Sequence, residues 1–346
     1  MQYQTLPQLD EKVSKICLGT MTWGQQNDET QAHEQMDMAL SEGVNFWDTA
    51  EMYPSPPDKD KQGDTERFMG TWFHKTKQRD KVILASKISP MDFLRDGQTR
   101  FNATHISSAI DGNLERLQTD YIDIYQLHWP ERQTNYFSQL GYTEAMAAQP
   151  LDNLTPFLET IQALNDEIKK GRIRAYGLSN DTAWGLMRYL WEADKNGLIA
   201  PITVQNPYSL LNRSYEVAMA EIAHRENVGL LAYSPLGFGV LSGKYLDGKR
   251  PTGARLTMYD RFARYTNEEA LSATAQYAKI AADASLDMAQ MALAFVNSRS
   301  FVTSNIIGAT TTEQLKSNID SIHLTLSSDI LAAIEAVHTQ QPNPSP

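Results

Sequence analysis

The chain has 346 residues and a net charge of −11, so its surface repels phosphate backbones and nucleic acid is excluded as an expected partner. Hydrophobic residues make up 41% and charged residues 21%, which supports a large core, and no run approaches the ~20 apolar residues of a membrane span. The single cysteine, Cys17, lies in the apolar run Ile16-Cys17-Leu18. It reads as a small buried strand residue, excludes an internal disulfide framework and fits a reducing compartment. The N-terminus lacks the basic and apolar regions of a signal peptide, so a cytoplasmic protein without a membrane partner is expected.

Residues 1–14 are expected to form a small hairpin closing the bottom of the domain. Strand candidates then run Lys15–Met21, Val44–Ala50, Val82–Ile88, Ile122–Trp129, Arg174–Ser179, Ile202–Asn206, Val228–Ser234 and Ile306–Ala309. Most are nearly all apolar, as expected for strands covered on both faces. Helical segments lie between them. One carries Ile106, Ile110, Leu114 and Leu117 on one face. Another takes Thr155 as its N-cap, Pro156 as first helical residue, Phe157, Ile161, Leu164 and Ile168 as its stripe, and Gly171 as its stop. A third follows Asn180-Asp181 and presents Trp184, Met187 and Trp191. Strands alternating with helices argue for one α/β domain, a (β/α)8 TIM barrel. Three long polar connections, residues 54–65, 130–154 and 235–267, come after the second, fourth and seventh strands. They leave the strand ends where barrel active sites are built, as lids or binding loops do. The Pro-rich tail, residues 340–346, is expected to be flexible.

Four residues stand out against this frame. Asp48, Lys87 and His128 each close an apolar run, and Tyr53 lies five residues past Asp48. On adjacent parallel strands their side chains converge at one edge. A tyrosine has a reference pKa of ~10 and is a poor acid near neutrality, but a neighbouring ammonium favours its phenolate. Lys87 supplies that ammonium, Asp48 compensates its charge, and His128 is able to hydrogen-bond a carbonyl oxygen. The set suits protonation of an oxygen on which charge develops. It contains no reductant, so a hydride donor has to bind beside it.

The sequence resembles the aldo-keto reductase family over nearly its whole length. It is closest to the Tas-type bacterial branch, whose relatives include the β subunits of voltage-gated potassium channels. The matching segments are Leu18-Gly19-Thr20-Met21-Thr22-Trp23-Gly24, Asp48-Thr49-Ala50-Glu51-Met52-Tyr53, Ser86-Lys87, Leu127-His128-Trp129, Gly177-Leu178-Ser179-Asn180, Val204-Gln205-Asn206-Pro207-Tyr208, Ala232-Tyr233-Ser234-Pro235-Leu236 and Ile307-Gly308-Ala309-Thr310. Each is weak alone; together, in order and each at a strand end, they are specific.

The resemblance implies an NADPH-dependent reductase of small aldehydes or ketones, with Asp48, Tyr53, Lys87 and His128 as catalytic residues and Tyr53 as general acid. Ser179, Asn180 and Gln205 would hold the nicotinamide carboxamide, with Tyr233 stacked on the ring, and Ser234 and Leu236 would also bind the cofactor. Lys244 and Arg255, in the long seventh connection, would cover the phosphates of NADP(H). Gly308, Thr310, Gln314 and Asn318 would hold the adenosine end, where a helix N-terminus suits a phosphate. The run Thr310-Thr311-Thr312-Glu313-Gln314 lacks the basic cluster many members carry there. Trp23 and Trp129 would flank the carbonyl site, with Tyr136 and Phe137 nearby. The alternative function is a cofactor-sensing regulatory subunit with little turnover. Oligomeric state stays open.

The segment Gly237-Phe238-Gly239-Val240-Leu241-Ser242-Gly243-Lys244 invites two wrong readings. Ser242 replaces the third glycine of a dinucleotide fingerprint, and Tyr245 follows Lys244 where a P-loop needs Ser or Thr. It reads instead as a flexible cofactor-covering loop. The histidines show no metal-binding spacing, so no metal is expected.

Overall fold

The structure, a computed structural model, describes residues 1–90, 100–150, 152 and 154–346; Leu151 and Asn153 of the fourth-strand connection lie outside these. An antiparallel hairpin, β1 (Tyr3–Thr5) and β2 (Lys12–Ser14), precedes the barrel. Eight parallel strands then close on themselves: β3 (Ile16–Gly19), β4 (Phe46–Asp48), β5 (Ile83–Ile88), β6 (Ile122–Leu127), β7 (Ile173–Ser179), β8 (Thr203–Pro207), β9 (Gly229–Tyr233) and β10 (Val302–Ile307), with β10 paired to both β9 and β3. The helices are α1 (Glu29–Ser41), α2 (Asp64–Thr76), α3 (Ala103–Leu117), α4 (Glu144–Ala147), α5 (Phe157–Lys169), α6 (Ala183–Lys195), α7 (Met219–Arg225), α8 (Arg255–Met258), α9 (Glu268–Asp283), α10 (Met288–Asn297), α11 (Thr312–Asp320) and α12 (Ser328–Gln340). The expected (β/α)8 barrel is therefore present.

Strand alternation divides the core in two. Cys17, Phe46, Ile83, Ala85, Ile124, Ala175, Leu231 and Ile306 fill the barrel interior, and Leu6, Leu9 and Val13 of the hairpin segment pack into the same cluster. Trp47, Leu84, Tyr125 and Tyr176 point outward into the layer shared with the helices. Because side chains alternate along a strand, Asp48 follows Phe46, Lys87 follows Ala85, and Gln126 and His128 follow Ile124 on the inward face. The barrel is thus apolar low down and polar at its C-terminal mouth. Gly19 is where β3 meets β10: a Cβ there would lie 2.8 Å from Ile306 Cγ2 and 2.9 Å from the Ile307 carbonyl oxygen.

Several local expectations need correction. The last strand begins at Val302, before the expected Ile306, because Thr303, Ser304 and Asn305 masked it. These polar residues are buried, and two of them have side-chain partners: Ser304 Oγ donates to the Ser14 carbonyl at 2.8 Å, and Asn305 Nδ2 to Asn297 Oδ1 at 2.9 Å. Helix α5 is capped at Pro156, not Thr155, whose backbone N–H and hydroxyl both donate to Glu131. Helix α6 buries Leu186, Tyr189 and Ala193, and the face that carries Trp184, Met187 and Trp191 is exposed. The tail does not hang free. Asn343 Oδ1 accepts from Arg213 N–H, the Ser345 N–H donates to Leu211 O, and the Pro346 carbonyl accepts from Ser138 N–H. Among the described residues no helix is long and apolar enough to cross a membrane.

Candidate active site

A cleft of about 960 Å³ opens at the C-terminal mouth of the barrel. It is walled by strand ends, by the connections after β4 and β6, and by residues of the connection after β9, which folds as short helical turns and α8.

Lys87 lies at its floor, fully buried. An ammonium has three hydrogens to place. Its Nζ lies 2.6 Å from Asp48 Oδ2, 2.8 Å from the Thr49 carbonyl oxygen and 3.5 Å from Tyr53 Oη. Asp48 is satisfied on its other oxygen, where Oδ1 accepts from Gln126 Nε2 at 2.9 Å and from Gln205 Nε2 at 2.8 Å. Burial alone would strip Lys87 of its proton, but Asp48, followed by Tyr53, outweighs burial and holds it above the usual lysine range. Tyr53 behaves differently from the sequence expectation. Burial raises its affinity for the proton more than Lys87 lowers it, so the phenol stays above its ordinary value and remains protonated at neutral pH.

His128 packs its ring 5.8 Å from that of Tyr53 and 4.8 Å from that of Trp129. Burial, reinforced by Lys87, holds it well below the usual histidine range, so it is neutral. Its Nδ1 lies 2.8 Å from Ser89 Oγ. With the Ser89 hydroxyl donating, Nε2 carries the ring hydrogen.

A second set lies across the cleft. Asn180 sits in the left-handed region at φ 52°. Its Nδ2 donates to the His128 carbonyl at 2.8 Å and to Ser179 Oγ at 3.1 Å, and its Oδ1 accepts from Tyr233 Oη at 2.6 Å. Ser179 Oγ donates to the Gln205 carbonyl. Gln205 spends both amide hydrogens, on Asp48 and on Gln126 Oε1, which leaves its side-chain oxygen as the group it can offer. Ser234 and Leu236 also line the cleft.

At the far end the cleft is lined by Gly308, Thr310, Gln314 and Asn318. Thr310 donates through N–H and hydroxyl to Gln314 Oε1, and Asn318 Nδ2 donates to the Gly308 carbonyl. Glu313 in the first turn of α11 lines it too, an acid at a helix N-terminus. Lys244 and Arg255 line the covering wall. Burial pushes Lys244 down and Arg255 pushes it further, while burial pushes Arg255 down. Neither forms an ion pair among the described residues; Lys244 lies against the Tyr245 ring and Arg255 against Phe238 and Phe262. Gly239, at φ +92°, lets Lys244 cross, because a Cβ there would meet Lys244 Cε at 2.8 Å.

The structure thus brings together the four central residues, the polar set of β7 to β9 and the end formed by β10. It does not bring Trp23 to the mouth. Trp23 is fully buried, with Nε1 donating to Gln35 Oε1 at 3.1 Å on α1. The ring points outward into the helix layer, where an apolar partner surface exists. Trp129 does line the cleft, together with Phe137, while Tyr136 faces an adjoining cavity that Phe137 also touches. Sequence reasoning missed Gln126, Ser89 and Arg264. Gln126 lies two residues before His128, a polar residue on the inward face of a strand, and Ser89 lies two past Lys87. That period of two was the available signal.

The model of the aldo/keto reductase family matches residues 15–339. The chain is 50% identical to Protein tas of Escherichia coli K12, with all of both chains covered. It is 31% identical to the uncharacterized oxidoreductase YrpG of Bacillus subtilis, over 97% of this chain and 96% of that one. A probable voltage-gated potassium channel subunit beta of Arabidopsis thaliana is 29% identical over 99% of this chain and 98% of its own length. With the barrel closed, the polar mouth assembled and the family model spanning it, the chain belongs to the aldo/keto reductase family.

Proposed function

We propose that this oxidoreductase reduces an aldehyde or ketone to the alcohol at the cleft, with NADPH as the donor and Tyr53 as the general acid. The observation that carries the reading is the ammonium of Lys87. Two of its hydrogens are held by Asp48 and the Thr49 carbonyl, and the third faces Tyr53 Oη. A phenol oxygen that accepts from Lys87 points its own hydrogen away, into the cleft. A carbonyl oxygen seated there receives hydrogen bonds from Tyr53 Oη–H and His128 Nε2–H. As negative charge grows on that oxygen Tyr53 gives up its proton, and Lys87, kept charged by Asp48, stabilises the phenolate left behind. His128, being neutral, orients the oxygen and does not compete for the proton.

NADPH supplies the hydride that these side chains lack. The residues present fit it. Lys244 and Arg255 are two mutually repelling cations with no ion pair among the described residues, which suits phosphate oxygens. Ser179, Asn180 and Gln205 offer polar edges for a carboxamide, and Tyr233, anchored through its hydroxyl by Asn180, offers a ring face. Gly308, Thr310, Gln314 and Asn318 suit the adenosine end. Glu313 lies there as well, so binding of the cofactor phosphates rests on Lys244 and Arg255, and the preference for NADPH over NADH on their reaching its additional phosphate.

The test is NADPH oxidation over a panel of aldehydes and ketones, with Tyr53→Phe alongside. Turnover is expected to fall by about 10²–10⁴-fold, the range of general acid catalysis, while NADPH binding persists. Full turnover in the variant would overturn the role of Tyr53. Tight NADPH binding with no turnover on any carbonyl would favour a cofactor-sensing subunit.

A further inference from the structure

The covering wall carries a third cation, Arg264, which the cofactor assignment does not use. It lines the same cleft as Tyr53, His128 and Trp129. Its neighbours are aromatic and neutral. Nε donates to Ser138 Oγ at 3.2 Å, and the guanidinium lies 5.2 Å from the Phe137 ring centre and 5.7 Å from that of Tyr265. No ion pair among the described residues uses it, although most other buried or half-buried arginines here have a carboxylate: Arg79 and Arg174 share Asp123, Arg116 has Glu66, Arg132 has Asp181 and Arg213 has Glu216.

Its position is defined by a run of neighbouring rings. Tyr53 lies 5.8 Å from His128, His128 4.8 Å from Trp129, Trp129 6.4 Å from Phe137, and Phe137 neighbours Arg264. An apolar wall therefore leads from the acid to a lone guanidinium. Burial would lower the hold of Arg264 on its proton, but the phenols of Tyr265 and Tyr233 outweigh it, so the group stays cationic. In a chain of net charge −11, a localised cation at a cleft mouth offsets repulsion of an anionic ligand.

We propose that Arg264 is the anchor for an acidic group on the substrate, which is an aldehyde or ketone carrying a carboxylate or phosphate at the far end of an apolar or aromatic spacer. The inference rests on the carbonyl-reductase reading and adds the substrate class to it. The guanidinium fork matches both oxyanions, and the aromatic wall takes the spacer.

The experiment pairs charged aldehydes with neutral counterparts: 4-carboxybenzaldehyde with its methyl ester, and 4-formylphenyl phosphate with 4-methoxybenzaldehyde. NADPH-dependent kcat/KM is measured at low and high salt. Equilibrium binding of the same aldehydes to the protein with NADP⁺ bound is measured alongside. A charged aldehyde is expected to exceed its partner by about tenfold or more, chiefly through KM, and the advantage should shrink with salt. Whichever pair shows the larger ratio identifies the oxyanion. Arg264→Gln should collapse the ratio towards one, and Arg264→Lys should retain part of it. A wild-type ratio near one for both pairs at low salt overturns the inference without needing a variant. So does an Arg264→Gln effect of equal size on charged and neutral aldehydes, as expected of a mere tie between Ser138 and the covering wall. Charge-selective binding without turnover would sink the reductase reading and keep this one; turnover blind to charge would do the reverse.

Discussion

On the side of the cleft built by β4, β5 and β6, charge is balanced within the strands. Lys87 faces three acceptors, Asp48 accepts from both Gln126 and Gln205, and all four are nearly inaccessible. On the side built by the connection after β9, Lys244, Arg255 and Arg264 line the wall with rings for neighbours and, among the described residues, no ion pair. The first side is charge-balanced by its own residues, and on the proposed reading the second is balanced by the anionic groups of its ligands.

Asp48→Asn should break the comparison most strongly. It leaves a buried ammonium without its counter-charge, and removing one partner of a buried pair costs about 3–5 kcal/mol. A denaturant midpoint that barely moved would show that the strand side is not a finished, self-balanced unit. Arg255→Met, on the other side, should leave the thermal midpoint of the cofactor-free protein unchanged or higher, because it relieves repulsion with Lys244. It should weaken NADPH binding by about tenfold or more, as expected for loss of a charge-assisted hydrogen bond. An unaltered dissociation constant in titration calorimetry would remove Arg255 from the phosphate site. The smallest effect concerns pH. His128 is held well below the ordinary value of ~6.5, so above that pH neither state binds the extra proton. As pH falls below it the unfolded chain takes up a proton that the folded chain refuses, and stability drops by about 1.4 kcal/mol per pH unit until the folded value is reached. His128→Gln should flatten the stability profile by that slope; an identical acid limb in both proteins would contradict the burial of His128.

The fold was legible because fully covered parallel strands are mostly apolar, and runs such as Val228-Gly229-Leu230-Leu231-Ala232-Tyr233 declare themselves. The start of β10 was not, since its polar residues are buried by the closed fold, where Ser304 finds its partner in Ser14 far along the chain. The central residues were legible as a set because strand ends put unrelated positions at one place. Gln126 and Ser89 stayed hidden, because a polar residue inside a strand does not announce what it faces.

From sequence, then, came the number of strands, the family resemblance and the identity of the four residues at the mouth. These derive from local hydrophobic pattern and from motif, which the linear chain carries. Tertiary structure alone decided that Tyr53 keeps its proton despite Lys87, that Trp23 turns into the helix layer while Trp129 faces the cleft, and that Arg264 has no acidic partner among the described residues. Each is a balance between burial and neighbours from distant segments, and such balances do not exist until the chain has closed the barrel.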